Sequence, residues 1–180
     1  MPSSRPKVMG PAEGVMPQKK RAVLLVENNP DDVWLVEMAF ERAELKHRLI
    51  TVADGLQALD YIKGRGKYGD REKYPLPDLI LLDLGLPGLS GMDMLEHLRG
   101  QPKTKNVPIT VLSGSSFVRD VTRAYELGAN SFLMKPSDLR KFTAAIKETV
   151  DFWLGSTKLS SPPIFLQMPS LMQGSGATES

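Results

Sequence analysis

Short apolar runs rich in β-branched residues recur roughly every 25 positions through the middle of this chain, and segments with helical spacing fill the intervals. The runs cover 22–26, 48–52, 78–82, 108–112 and 131–134, and their length and composition predict strands. Between and after them, 31–44, 55–63, 91–99, 117–127 and 138–154 carry apolar residues at helical intervals, as with Val33, Val36, Phe40 and Ala43. The punctuation agrees. Asp31 and Asp32 open the first helix with negative charge, Asp54 and Ser137 suit N-cap positions, and Gly128 suits a position just past a helix end. The first, third and fourth runs are nearly continuous in apolar residues, as in a parallel sheet covered on both faces. Right-handed crossovers then require an α/β doubly wound layer structure.

The rest of the chain bounds its chemistry. No cysteine occurs among the 180 residues, which excludes disulfides, a thiol nucleophile and Cys-based zinc sites. The longest apolar stretch, 78–86, is interrupted by Asp83 and falls far short of the roughly 20 residues of a membrane span. Residues 1–20 hold four prolines and no apolar core like that of a signal peptide, so the expected compartment is the cytoplasm. Residues 1–20 and 155–180 read as tails, the second rich in Ser, Gly and Pro, and 21–154 as one domain. Arg5, Lys7, Lys19, Lys20 and Arg21 against Glu13 give 1–21 a net charge of +4, leaving −2 on the body. A mildly acidic body does not suit nucleic-acid binding.

In an open parallel sheet, ligands bind beyond the carboxyl ends of the strands where the strand order reverses. The residues expected there are Glu27 and Asn28, Asp83, Ser113, and Lys135 followed by Pro136. Two acidic groups, an amide, a hydroxyl and an amine from four distant stretches would thus converge on one edge.

At these residues the sequence resembles the receiver domains of two-component response regulators. The resemblance is carried by Leu24-Leu25-Val26-Glu27-Asn28-Asn29-Pro30, by Pro77-Asp78-Leu79-Ile80-Leu81-Leu82-Asp83-Leu84-Gly85-Leu86-Pro87, by Val111-Leu112-Ser113-Gly114 and by Phe132-Leu133-Met134-Lys135-Pro136. Asn29-Pro30-Asp31-Asp32-Val33, the Gly-rich insert before the third strand, and Phe152-Trp153-Leu154 followed by Pro162-Pro163 are similar to the single-domain regulators of phytochrome-type histidine kinases. The resemblance implies a (βα)5 flavodoxin-like fold with strand order 2-1-3-4-5. It implies Asp83 as the phosphoacceptor, Mg²⁺ held by Glu27, Asn28, Asp83 and the Gly85 carbonyl, and Lys135 as the charge facing the phosphoryl oxygens. It also implies a switch in which Ser113 turns toward the phosphate and Phe132 follows, with a cis bond before Pro136. The implied partners are a histidine kinase, of phytochrome type in the sub-family, and a second copy of the chain. The sub-family's homodimers form through the fourth helix, fifth strand, fifth helix and C-terminal extension. The implied role is a phosphorelay protein with at most self-catalysed phosphotransfer and dephosphorylation, not a conventional enzyme.

Asn28 departs from the family pattern, which has an acid there. Its amide still offers an oxygen but no charge, so weaker Mg²⁺ binding and slower phosphorylation are expected. Gly85 and Ser115 are too small to position a hydrolytic water, which favours a long-lived phosphate. Two readings stay open: a phosphorylation-switched relay, and a receiver-like binding module or constitutive dimer that dispenses with phosphate because of Asn28.

Other signals carry less. Gly64-Arg65-Gly66-Lys67-Tyr68-Gly69 spells a nucleotide-binding pattern but follows a helix rather than a strand, so a flexible loop is expected. Gly85, Gly88 and Gly91 read as a turn. His47 and His97 lack carboxylates at metal-ligand spacing, and Asp83-Leu84-Gly85 lacks the second acid of the aspartyl-phosphate hydrolases. The last helix, with Phe142, Ile146, Val150, Phe152, Trp153 and Leu154, carries more apolar residues than one sheet face should need, and the tail adds Ile164, Phe165, Leu166, Met168, Leu171 and Met172. That surplus points to an association surface.

Overall fold

The computed structural model describes residues 20–114, 117–135 and 138–155. Five strands, β1 (Ala22–Val26), β2 (Arg48–Val52), β3 (Leu79–Asp83), β4 (Ile109–Ser113) and β5 (Ser131–Met134), form one parallel sheet in the order β2-β1-β3-β4-β5. They alternate with α1 (Pro30–Arg42), α2 (Gly55–Lys63), α3 (Gly91–Gly100), α4 (Val118–Glu126) and α5 (Leu139–Leu154). Strands β1, β3 and β4 are buried at every residue, which is why they read as unbroken apolar runs. Alternate side chains then serve two cores. Val23, Leu25, Leu79 and Leu81 pack with Val36 and Phe40 of α1 and Phe142, Ile146 and Val150 of α5. Leu24, Val26, Ile80 and Leu82 face Tyr61 and Ile62 of α2, Met94, Leu95 and Leu98 of α3 and Ala124 of α4.

Several element ends differ from the sequence reading for identifiable reasons. β3 begins one residue later than expected because the Asp78 carboxylate accepts a hydrogen bond from the Ala22 amide at 2.9 Å, anchoring the approach to the sheet. The Asn29 side chain caps α1 by accepting from the Asp31 amide, so Pro30 becomes its first residue. α1 stops at Arg42, and Glu44, at φ 52°, takes the left-handed position just beyond its end. The Leu45 and Glu44 amides bond back to the Phe40 and Glu41 carbonyls, closing the helix as glycine usually would. Gly128 does hold the corresponding place after α4, at φ 94°. α5 is capped by Asp138, whose carboxylate accepts from the Arg140 and Lys141 amides. The expected N-cap, Ser137, lies outside the described residues.

Two expectations are corrected. The Gly-rich insert is a built structure rather than a flexible loop: Gly66–Gly69 forms a 3₁₀ turn that buries Tyr68 edge-on to Tyr61 and Tyr74, with ring centroids 5.3 and 5.1 Å apart. Arg71 fastens it by donating to the Tyr61 and Ile62 carbonyls at the end of α2 and to that of Tyr74. The apolar surplus of α5 is also smaller than its sequence suggests. Phe142, Ile146, Val150 and Leu154 are consumed by the core, leaving Phe152 and Trp153 half-buried.

Candidate functional site

Every strand of a parallel sheet points its carboxyl end the same way, so the residues following β1, β3, β4 and β5 meet at one edge. A cleft of about 750 Å³ lies there, lined by Glu27, Asn28, Asp32, Asp83, Gly85, Ser113 and Lys135 among others. Asp83 is the last residue of β3 and retains 6% of its surface, while contributing to the cleft wall. Its carboxylate is doubly engaged: Oδ2 accepts the Gly85 amide at 2.6 Å and Oδ1 accepts the Lys135 ammonium at 2.7 Å. Gly91 is required just below. A Cβ there would lie 2.5 Å from the Leu84 Cα and would collide with the Asp83 carbonyl oxygen, so α3 can start against the backbone of β3 only without a side chain.

Lys135 is the hub. Its amide is tied to the Ser113 carbonyl at 2.8 Å, and its Nζ donates to Glu27 Oε2 at 2.6 Å, Asp32 Oδ2 at 2.8 Å and Asp83 Oδ1 at 2.7 Å. Burial works against the ammonium, but the hydrogen bonds it donates to Asp32, Asp83 and Glu27 outweigh it and raise the lysine above its ordinary value. Glu27 is 2% exposed and its second oxygen accepts the Asn29 amide at 2.9 Å. Ser113 is buried at the end of β4, and Phe132 is buried in the core on the α2–α4 side of the sheet.

Glu27, Asn28, Asp83, Gly85, Ser113 and Lys135 therefore share one cleft. Phe132 lies one layer below, and Pro136 and Ser115 fall outside the described residues. Asp32 is the residue that sequence reasoning missed as part of the site. An acid in a first helical turn has an ordinary explanation in the helix dipole, which hid its second use. The useful signal was its place four residues beyond Asn28, one helical turn from the edge.

The oxygens of Glu27, Asn28, Asp83 and Gly85 are hard donors, and Mg²⁺ commonly takes one or two carboxylates while keeping several waters, so this set fits it. Among the described residues no group of three or more His, Asp or Glu side chains is arranged to hold a metal ion. The space between the three carboxylates is taken by the Lys135 amine. His47 and His97 stand apart from the cleft, and burial and Arg21 lower the titration of His47. Among the described residues no helix is long and apolar enough to cross a membrane.

The response regulator receiver domain family model matches residues 23–147. Response regulator Rcp1 of Synechocystis is 34% identical over 139 residues, covering 77% of this chain and 92% of that protein. Among solved structures, the phosphorylated cyanobacterial phytochrome response regulator RcpA superposes with a TM-score of 0.70 at 33% identity, covering 79% of this chain and 99% of RcpA. The Mn²⁺-bound form of Rcp1 gives a TM-score of 0.67 at 34% identity, over 77% of this chain and 98% of that one.

Proposed function

The chain belongs to the response regulator receiver family, and from that premise we propose that it takes a phosphoryl group onto Asp83 from the phosphohistidine of a histidine kinase. The observation that carries this reading is the Lys135 ammonium 2.7 Å from Asp83 Oδ1, at the edge of a cleft large enough for a phosphoryl group. In the transfer, a carboxylate oxygen of Asp83 forms a bond to phosphorus as the bond to the histidine nitrogen breaks, and that nitrogen keeps the electron pair. The Gly85 amide and Lys135 hold the carboxylate in place, and the lysine remains beside the negative charge that builds on the phosphoryl oxygens. Glu27, Asp83, the Asn28 amide oxygen and the Gly85 carbonyl would hold Mg²⁺, which when bound supplies positive charge against the incoming phosphoryl group. Glu27 and Asp32 also accept from the lysine and fix its amine beside Asp83.

Phosphorylation adds about −1.5 to −2 charges near neutral pH, enough to draw the Ser113 hydroxyl toward the phosphate and to reset the packing of Phe132. Hydrolysis is slow in this reading because Gly85 carries no side chain to orient water. The likeness to phytochrome response regulators favours a photoreceptor kinase as donor. Output is by contact. Phe117, Val118 and Met134 are 72%, 61% and 50% exposed around α4 and β5, which supports dimerisation through the α4, β5 and α5 face. No comparison favours the phosphate-independent module. Acetyl phosphate or a kinase with Mg²⁺ should add one phosphoryl group by intact mass, lost in Asp83→Ala. Failure to label across millimolar Mg²⁺ would reject the proposal.

A further inference from the structure

The cleft sets a neutral amide after β1 beside an acid from α1. Asn28 contributes a neutral amide where the receiver pattern has an acid, while Asp32, one turn into α1, sends its carboxylate into the same cleft. Asp32 is the third residue of α1, and an acid there could serve the helix by accepting from first-turn amides. It does something else. The Asp31 amide is already satisfied by the Asn29 side chain, and Asp32 Oδ2 instead accepts from Lys135 Nζ at 2.8 Å. Its side chain keeps 24% of its surface, against 1% for Glu27 and 8% for Asp83, so among the lysine's three partners it is the one most open to the cleft.

The charges that bond to one another can be counted. Glu27, Asp32 and Asp83 against Lys135 leave a net of −2, the charge that one divalent cation neutralises. Asp120, also on the cleft, faces its own countercharge in Arg119 at 3.9 Å. Without Asp32 the bonded cluster would hold only −1. Because Coulomb energy falls slowly with distance, a carboxylate need not touch the ion to supply this charge.

We propose that Asp32 is a positioning residue whose charge offsets the neutral amide at Asn28: by sharing the Lys135 ammonium with Asp83 and Glu27 it keeps the amine from neutralising those two alone, and so preserves divalent-cation binding. This rests on the phosphoacceptor reading for its purpose but not for its measurement. The test is a calorimetric titration of MgCl₂ into the unphosphorylated full-length chain, checked by the fluorescence of Trp34, two residues from Asp32 and 54% exposed. Asp32→Asn keeps an oxygen for Lys135 and removes only the charge. It should weaken Mg²⁺ by about 10-fold or more, within the range seen when groups supporting a metal are altered. Asn28→Asp should raise the affinity more in that variant than in the unaltered chain, returning it to near its original value, a non-additivity that a purely structural role for Asp32 would not produce. Unchanged Mg²⁺ affinity in Asp32→Asn, a double variant as weak as the single one, or no Mg²⁺ binding by the unaltered chain would each overturn the proposal. No kinase or phosphoryl donor is involved, so the outcome is separate from whether Asp83 is labelled.

Discussion

Replacing Lys135 by Met keeps most of the side chain's apolar volume and removes the one cation shared by three carboxylates. The lysine is 14% exposed, and two of its partners, Glu27 and Asp83, are 1% and 8% exposed, so solvent screens little of the loss. Removing one member of a buried ionic cluster typically costs about 3–5 kcal/mol, because the remaining charges are left uncompensated. A domain of ordinary stability, about 5–15 kcal/mol, survives this but is badly weakened. At about 2–4 °C per kcal/mol for a chain of this size, the melting temperature should fall by about 6–20 °C. Mg²⁺ should recover part of the loss, since it binds the folded chain and supplies the missing positive charge. Circular-dichroism melts in EDTA and then in Mg²⁺ read both effects. A melting temperature in EDTA within about 2 °C of the parent, less than the shift expected from 1 kcal/mol, would refute the view that Lys135 holds this edge together.

Two further substitutions test the supports of the site. Gly91→Ala forces a methyl group into the backbone of Asp83 and Leu84, so it should cost about 3 kcal/mol or more by denaturant unfolding and slow labelling of Asp83. Tyr61 is pushed up to about 12 by burial, which outweighs the lowering by Arg71 and Arg48. Its folded value lies above its unfolded one, so its contribution is complete below pH 10 and is lost as pH rises toward 12. Tyr61→Phe removes the hydrogen bond to the Pro75 carbonyl and should cost about 1–2 kcal/mol at neutral pH, while flattening this alkaline decline in melts taken from pH 9 to 12.

The alternation of runs and helical segments made the layers legible because burial on both faces leaves β1, β3 and β4 little room for polar residues. Strand ends were less legible where a side chain rather than a pattern decides them, as Asp78 does for β3. The insert hid its order because an aromatic cluster and one arginine hold it, and neither has a period. At the site, Asp83 and Lys135 stood out because they interrupt or terminate apolar strands. Asp32 did not, since nothing in its helix distinguishes an acid that favours the dipole from one that reaches across to β5. The α5 surplus misled for a related reason: the sequence shows how many apolar residues a helix carries, but not how deep the sheet beneath it is.

The central claim is tested most directly by locating the label. After exposure to a phosphoryl donor and Mg²⁺, the chain can be cleaved and its peptides mapped by tandem mass spectrometry. The account predicts a single acyl phosphate on the peptide that contains Asp83. A phosphoryl group carried elsewhere, with Asp83 unmodified, would contradict it.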